Sequence, residues 1–326
     1  GSITAKPLTV TGSKTYDGSD FFAAGQLAVA GAVAGETVTL TAGSGAASSA
    51  NAGTYTNSPL SALAISVSGG QALATNYVLP STGTLTITQA SLSVGNAVVT
   101  PKSYDGTTTA AVTGATLVGT IYGSDQVTLG NSTVGTFASA NAGTGIAVSM
   151  TGVLEGMGAA NYTLTQQSGL TGSITPKQIS LTGSRTYNGT TSFSGSQLSV
   201  TGLVGTDAIA SATANDPNIA TANKFFTGFA MASGLAANYY LIPAYNIALN
   251  RATILPATVQ PIYTAVATKS GQNSYQIVGT ILTGVAYLPA GTPMPAFSYT
   301  SVTPINAQTA LMSGLAVSGS GATNYN

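Results

Sequence analysis

The chain has little charge and lacks the side chains on which much enzyme chemistry depends. Its 326 residues include eight Lys and Arg, eight Asp and Glu, and no Cys, His or Trp. Charged residues make up 5% of the chain, whereas about 25% is typical of soluble domains. Without His and Cys, the commonest acid–base residue and the commonest zinc ligands are missing. A Ser–His–Asp nucleophile is excluded, and the composition argues against an enzyme.

The charge balance also bears on partners and location. The formal net charge is zero, so the basic footprint that a nucleic-acid-binding protein needs is absent. Gly, Ser, Thr or Asn interrupts every apolar run well short of the roughly 18 residues of a membrane helix. We therefore expect neither nucleic-acid binding nor membrane insertion. No signal-peptide pattern opens the chain, and the absence of Cys fits a bacterial protein that crosses membranes unfolded.

What the chain does contain is an internal repeat. Four markers recur in the same order at intervals of roughly 80 residues, a period typical of tandem arrays. They are a Tyr-Asp/Asn-Gly segment, an acid before a strand-like run, Ser-Ala-Asn-Ala-Gly-Thr and Asn-Tyr. Their positions are Tyr16-Asp17-Gly18, Tyr104-Asp105-Gly106 and Tyr187-Asn188-Gly189; Glu36, Asp125 and Asp207; Ser49–Thr54 and Ser139–Thr144; Asn76-Tyr77, Asn161-Tyr162, Asn238-Tyr239 and Asn324-Tyr325.

These markers divide the chain into four units, which we call repeats 1 to 4. Repeat 1 covers residues 1–89, repeat 2 residues 90–175, repeat 3 residues 176–252 and repeat 4 residues 253–326. Repeat 4 diverges: it lacks Tyr-Asp-Gly, and the strand-like runs that follow Asn-Tyr elsewhere are missing. Gly1–Lys6 match Gly172–Lys177, the end of a repeat. We therefore expect the chain to be a window from a longer array.

The pattern of apolar residues predicts strands throughout. Runs such as Leu8–Thr11, Thr84–Thr88, Ile146–Met150 and Ile179–Thr182 alternate apolar and small polar residues, which is typical of half-buried strands. Gly, Asn, Asp and Pro separate them at short intervals, and helices should be nearly absent. The prediction is an all-β fold of tandem Ig-like β-sandwich repeats in an elongated array. A β-solenoid is the alternative, although its coils are usually shorter than this period.

The repeated segments resemble YDG-type repeats. The resemblance rests on Tyr-Asp/Asn-Gly-Thr/Ser and on the acid-led strand, Ala-Gly-Thr, Asn-Tyr and Ile-Thr-Pro-Lys that follow it. Such repeats occur in filamentous-haemagglutinin-like bacterial surface adhesins exported by two-partner secretion, often beside related MBG repeats. The resemblance covers about residues 1–255, and the divergent repeat 4 is more similar to the MBG type. It implies an extracellular protein on the bacterial surface, in a Gram-negative organism, with a role in adhesion or biofilm. It implies no catalytic residue.

The Tyr-Asp/Asn-Gly segments are interpreted as tight turns, because Asp, Asn and Gly tolerate positive φ. The turn residues are Tyr16, Asp17, Gly18, Tyr104, Asp105, Gly106, Tyr187, Asn188 and Gly189. A calcium site formed by Asp17, Asp20 and Glu36 is the less favoured interpretation, since calcium needs six or more oxygens and the other repeats have no match for Asp20. No other cofactor is expected. Asn131, Asn161 and Asn188 begin Asn-x-Ser/Thr sequons, which leaves glycosylation open.

Tyrosines cluster near the junction of repeats 3 and 4, and two interpretations of them differ in function. The cluster consists of Tyr239, Tyr240, Tyr245 and Tyr263. Tyrosine rings on loops can stack on sugars, but packing between repeats is the more usual role of such residues.

The expectation is a non-catalytic stalk segment of a large secreted adhesin or biofilm-matrix protein. It would project a binding tip or bridge cells, with polysaccharide or cell surfaces and neighbouring repeats as partners. One alternative is that the repeats bind carbohydrate directly. The other is a filament in which the first strand of one chain completes the open repeat 4 of the next by strand addition, a form of self-association.

Overall fold

The described part of the chain is all-β, as the sequence predicts. The computed structural model describes residues 2–70, 73–258, 261–269, 275–285, 296–298, 301–304, 310–313, 316–318 and 324. Strands account for most of these residues, and the helices among them are 3-10 turns of three residues. These turns are Ala24–Gln26, Ala74–Asn76, Ala159–Asn161, Gly195–Gln197 and Ala236–Asn238. None of the helices in this described part is long and apolar enough to cross a membrane.

The strands are short and follow one another closely along the chain. Repeat 1 contains β1 Lys6–Pro7, β2 Thr9–Thr15, β3 Phe21–Ala23, β4 Leu27–Ala30, β5 Thr37–Ala46, β6 Gly53–Ser68, β7 Tyr77–Val78 and β8 Thr82–Thr88. Repeat 2 contains β9 Ala90–Gly95, β10 Val98–Val99, β11 Lys102–Ser103, β12 Thr109–Thr113, β13 Thr116–Val118, β14 Thr128–Gly130, β15 Val134–Phe137, β16 Gly143–Met150, β17 Val153–Glu155, β18 Tyr162–Thr165 and β19 Thr171–Thr175.

The same density of strands continues through the rest of the described chain. Repeat 3 contains β20 Lys177–Thr186, β21 Ser192–Ser194, β22 Leu198–Thr201, β23 Ile209–Ala214, β24 Phe226–Met231 and β25 Tyr239–Leu241. The next strand, β26 Asn250–Leu255, begins in repeat 3 and ends in repeat 4. Repeat 4 contributes β27 Pro261–Lys269, β28 Tyr275–Val285, β29 Ala296–Ser298, β30 Ser301–Pro304, β31 Ala310–Ser313 and β32 Ala316–Ser318.

The chain forms two compact units. The first consists of Gly1–Pro101, Thr108–Ser139 and Gly145–Ser173, and the second of Lys102–Thr107, Ala140–Thr144 and Ile174–Asn326. The first unit therefore holds repeat 1 and most of repeat 2. The second holds repeats 3 and 4 together with two short segments of repeat 2, which include β11 and the start of β16, and the end of β19.

In the first unit, repeat 1 forms a six-stranded sheet in the order β3-β5-β6-β8-β2-β4. β2 shows why the sequence forms such a sheet, because its residues alternate between exposed and buried along the whole strand. The inward side chains meet Phe22 and Leu85, both of which are fully buried. The same apolar cluster includes Leu92 and Val127 of repeat 2, so the hydrophobic core is continuous from one repeat to the next.

In the second unit, β20 is the central strand of repeat 3. It pairs antiparallel with β22 and parallel with both β25 and β26. A second sheet has the order β21-β23-β24. The rings of Phe193 and Phe226 meet edge to face with centroids 5.0 Å apart, and both side chains are fully buried. In repeat 4, β27 pairs with β28, β29 with β32 and β30 with β31.

One parallel register is common to the repeats and fixes the position of each Tyr-Asp/Asn-Gly segment. The basic residue two positions before the tyrosine pairs with an isoleucine of β8, β19 or β26, and β26 runs past the boundary at residue 252 that the sequence sets for repeat 3. The pairs are Lys14 with Ile87, Lys102 with Ile174 and Arg185 with Ile254. Each tyrosine therefore leaves the sheet at an equivalent point.

Candidate functional site: the junction between repeats

The Tyr-Asp/Asn-Gly segment is a turn closed by the side chain of its second residue. In repeat 2, Asp105 Oδ1 accepts hydrogen bonds from the backbone N–H and the hydroxyl of Thr107, each at 2.9 Å. Asn188 accepts the equivalent pair from Thr190. The following glycines have φ values of 79°, 76° and 78° at Gly18, Gly106 and Gly189, a conformation that disfavours other residues.

A basic side chain, buried for Lys14 and half-buried for Lys102, holds this turn from inside the repeat. Lys14 Nζ donates to Asp17 Oδ1 at 2.7 Å and to the carbonyl oxygen of Phe21 at 2.9 Å. Lys102 Nζ makes the same contact with Asp105 Oδ1 at 2.8 Å. The hydrogen bond from Lys102, together with those from Thr107, holds the pKa of Asp105 at about 2. The carboxylate is therefore a structural anchor for the lysine.

In repeat 3 an arginine–asparagine pair replaces the lysine–aspartate pair. Arg185 Nη1 donates to Asn188 Oδ1, and the guanidinium lies 4.6 Å from the centroid of the Phe193 ring. Burial lowers the pKa of Arg185 from its usual value. The ion pairs among the described residues are Lys14–Asp17, Lys102–Asp105 and Lys224–Asp216, and Arg185 takes part in none of them.

We expect Asn188→Asp to raise the free energy of unfolding by about 1 kcal/mol, because a carboxylate would face three donors, one of which is the buried Arg185 cation. Urea denaturation followed by tyrosine fluorescence measures this change. Asp105→Asn in repeat 2 is the matched reverse substitution and should lower the stability. Equal effects of the two substitutions would contradict this account of the turn.

The tyrosine of the turn points away from its own anchor and meets the next repeat. Tyr16 Oη donates to Asp125 Oδ2 at 2.8 Å, and Tyr162 Oη donates to the same oxygen at 2.9 Å. The two rings meet edge to face with centroids 5.4 Å apart. Tyr162 Oη also accepts the backbone N–H of Tyr122 at 2.7 Å. One carboxylate oxygen of repeat 2 therefore links a tyrosine from each repeat.

The asparagine of the Asn-Tyr marker forms the second part of this junction. Asn161 Oδ1 accepts the backbone N–H of Ala52 at 2.9 Å, and its Nδ2 donates to Asn51 Oδ1 at 3.2 Å. Asn161 ends the 3-10 turn Ala159–Asn161 and is buried. Asn51 and Ala52 belong to Ser-Ala-Asn-Ala-Gly-Thr, so all four markers of the repeat meet in one contact.

The second unit contains the same junction between the loops of repeat 2 and repeat 3. Tyr239 Oη donates to Asp207 Oδ2 at 2.6 Å, and Tyr104 Oη donates to it at 3.3 Å. Asn238 Oδ1 accepts the backbone N–H of Ala142 at 2.8 Å, and Asn238 Nδ2 donates to Asn141 at 3.0 Å. The rings of Tyr104 and Tyr239 lie 5.3 Å apart, edge to face.

The two junctions also perturb the tyrosines in the same way. Burial and the hydrogen bond to Asp125 raise the pKa of Tyr16 to about 12. Burial and the hydrogen bond to Asp207 raise the pKa of Tyr239 to about 12. Both phenols therefore stay protonated donors well above the usual tyrosine range.

The asparagine contact occurs a third time, between Asn324 of repeat 4 and a loop of repeat 3. Asn324 Oδ1 accepts the backbone N–H of Ile219 at 2.9 Å, and its Nδ2 donates to Asn218 Oδ1 at 2.9 Å. Asn218-Ile219 thus occupies the place of Asn51-Ala52 although the surrounding residues differ from Ser-Ala-Asn-Ala-Gly-Thr. The divergent repeat keeps this part of the contact.

The structure also places the other residues singled out from the sequence. Asp17 is bound by Lys14, and Glu36 Oε2 accepts a hydrogen bond from Tyr77 Oη at 2.6 Å. Across the described ranges there is no group of three or more Asp and Glu side chains that could hold a metal ion. Of the sequon residues, Asn161 is buried and Asn131 is exposed.

The tyrosine cluster separates into buried and exposed members. Tyr239 is buried in the junction and does not offer its ring to a sugar, so its interpretation as a stacking residue is wrong. Tyr240 and Tyr245 are 47% and 37% exposed, and the Tyr240 hydroxyl lies 3.2 Å from Gln178 Oε1. Tyr263 belongs to β27, and its side chain lies outside the described residues.

The repeats and their junction define a class of tandem all-β repeat protein, in which each repeat carries matching contact residues for its neighbour. The family model of the YDG domain matches three segments, residues 4–84, 88–169 and 173–248. The chain belongs to the YDG domain family, and the three repeats of the Tyr-Asp/Asn-Gly type expected from the sequence are confirmed. Comparison with curated proteins gave no match, and comparison with solved structures gave none either.

Proposed function

We propose that the chain is a non-catalytic structural segment of a large secreted bacterial adhesin or biofilm-matrix protein on the outer cell surface. Its role is mechanical: coupled repeats project a binding tip or bridge cells, and two-partner secretion is the proposed route of export. One observation carries the proposal, which is that the same tyrosine–carboxylate and asparagine–backbone contacts join successive repeats. The recurring residues of the four markers hold the repeats together in this proposal.

We propose further that each repeat is an Ig-like β-sandwich. Two features, one in repeat 3 and one in repeat 1, support the sandwich. In repeat 3 the sheet around β20 and the sheet β21-β23-β24 contribute buried side chains, including Leu181 and Phe226. In repeat 1 the antiparallel strands β3, β5 and β6 lead into the parallel pair β2 and β8. An experimental structure with two stacked sheets per repeat is the expected result, and coiled parallel rungs would contradict it.

The mechanical proposal requires that repeats 1 and 2 stabilise each other. Asn161→Ala is expected to lower the free energy of unfolding of the first unit by about 1–3 kcal/mol, because it leaves the Ala52 N–H without its acceptor. Nearest-neighbour coupling of this kind makes tandem repeats unfold together. Urea denaturation followed by tyrosine fluorescence should show a lower midpoint and a broader transition.

Asn76→Ala is the matched control, because Asn76 ends the equivalent 3-10 turn of repeat 1 and is exposed. It should change the stability by less than about 0.5 kcal/mol, as surface substitutions usually do. If Asn161→Ala and Asn76→Ala are equally harmless, the junction does not couple the repeats and the mechanical role is wrong.

Direct binding of carbohydrate is the second candidate function, and the exposure of Tyr240 and Tyr245 favours it. Exposed tyrosine rings can stack on sugar faces while keeping their hydroxyls hydrated. A glycan array probed with the whole chain and with Tyr240→Ala/Tyr245→Ala separates the two functions. Binding that the double substitution abolishes supports carbohydrate recognition, whereas an array without signal supports the mechanical role.

A further inference from the structure

Repeat 1 contains a tyrosine and a carboxylate like those with which repeats 2 and 3 contact the preceding repeat, and they have the same geometry. Tyr77 Oη donates to Glu36 Oε2 at 2.6 Å and accepts the backbone N–H of Val33 at 3.0 Å. Tyr162 makes the same pair of contacts with Asp125 and Tyr122. In repeat 3, Tyr239 makes them with Asp207 and Val204. The tyrosine and carboxylate of repeat 1 are therefore already positioned as they are in a formed junction.

The asparagine next to this tyrosine differs from its equivalents in exposure. Asn161, Asn238 and Asn324 are 3%, 2% and 2% exposed, because each lies against an Asn-Ala or Asn-Ile segment of another repeat. Asn76 ends the same kind of 3-10 turn but is exposed. Nearby, Leu73 is 62% exposed and Val33 is 45% exposed. Asn76 therefore has the backbone turn of the buried asparagines at the other junctions, but its amide and the apolar side chains near it are exposed.

The strand register identifies a fourth exposed residue of the same surface. Lys6 pairs with Tyr77 as Ala90 pairs with Tyr162, so Ile3 corresponds to Ile87. Ile87, Ile174 and Ile254 are 2%, 1% and 6% exposed. Each of them pairs with the basic residue of a Tyr-Asp/Asn-Gly segment. Ile3 is 102% exposed, so a buried position of the repeat pattern faces solvent here.

We infer that the face formed by Ile3, Val33, Glu36, Asn76 and Tyr77 is a docking surface for the Tyr-Asp-Gly end of another YDG repeat. The tyrosine of the incoming repeat donates to Glu36, and Asn76 accepts the backbone N–H of its Asn-Ala segment. Both contacts continue an interface that the chain already forms twice. The inference rests on the proposed coupling of repeats and adds the partner that this surface selects.

A tandem duplication of residues 5–88 in the full chain supplies this partner in the natural register. The sequence then runs 1–88 followed by 5–326, so that Ile87 of the first copy takes the place of Ile3. Thr54→Ser in the first copy keeps the hydroxyl and distinguishes its peptides by mass. Hydrogen exchange read by mass spectrometry then reports the Ala52 amide of each copy separately.

In the duplicated chain, Asn76→Ala in the second copy should speed exchange of the first-copy Ala52 amide about five- to tenfold, the value of one hydrogen bond. The Ala52 amide of the second copy, which Asn161 binds, should keep its exchange rate and shows that the protein is folded. In the chain without the duplication, Asn161→Ala should accelerate exchange at Ala52 to a similar extent.

Two failures of this experiment have different meanings. If Asn161→Ala accelerates exchange at Ala52 but Asn76→Ala leaves the first-copy amide unchanged, the docking surface is refuted and the coupling of repeats stands. If Asn161→Ala also has no effect on Ala52, the coupling itself is wrong and the docking surface falls with it.

Discussion

Replacing Asp125 with alanine is expected to lower the free energy of unfolding of the first unit by about 3 kcal/mol. Asp125 Oδ2 accepts hydrogen bonds from Tyr16 and Tyr162, and each bond to a charged acceptor contributes about 1.5–3 kcal/mol. Both tyrosines are buried, so their hydroxyls would lose a partner in a place that water reaches poorly. Urea denaturation followed by tyrosine fluorescence measures the loss.

Two further substitutions show whether this effect comes from the junction. Asp125→Asn keeps the shape and one acceptor oxygen, and an intermediate loss of about 1–2 kcal/mol is expected. Glu155→Ala removes a carboxylate from an exposed strand end and should change the stability by less than about 0.5 kcal/mol. An Asp125→Ala protein as stable as the Glu155→Ala protein would disprove the role of the shared carboxylate.

Alkaline pH is expected to destabilise both units between pH 10 and pH 12. Tyr16 and Tyr239 have a pKa of about 12 in the folded chain, compared with the ordinary value of 10.0. Because the folded pKa is the higher one, the stabilisation is complete below pH 10 and is lost as the pH rises through 12. Each tyrosine contributes at most about 1.4 kcal/mol per pH unit in this window. Denaturation midpoints at pH 9, 11 and 12 measure the slope.

Tyr16→Phe separates the contribution of this phenol from that of other groups that titrate in the same range. The variant should be less stable than the parent at pH 9, because Asp125 loses one donor, and its stability should fall less steeply above pH 10. Equal slopes for the variant and the parent would show that the junction tyrosines do not cause the alkaline loss.

Much of the fold is readable from the sequence because strands impose a local period of two. Thr84–Thr88 lies within β8, and Ile146–Met150 lies within β16, since alternating small polar and apolar residues suit one buried and one exposed face. The scarcity of helix follows from the same pattern. The Ig-like arrangement stays a prediction, because the order and stacking of strands depend on long-range pairing that no local period specifies.

The junction was only partly visible in the sequence. Recurrence identifies the markers, but the local pattern indicates only that Asp125 precedes a strand-like run and that Tyr16 belongs to a tight turn. Neither role explains why an asparagine precedes the second tyrosine in every repeat, and that unexplained recurrence was the available signal. The equivalence of Asn218-Ile219 with Asn51-Ala52 could not be found by sequence matching, because the contact uses a backbone N–H that any non-proline residue supplies.

The two sides of the junction differ, and this affects how the number of repeats can change. Repeat 2 brings a tyrosine and an Asn-Ala segment for repeat 3, and an acid and an Asn-Tyr pair for repeat 1. The two halves differ, so the interface is heterologous and open-ended. A gene segment duplicated in frame therefore encodes a new repeat that already fits on both sides. In-frame gain or loss of a whole repeat therefore leaves a matching pair of surfaces at each remaining junction.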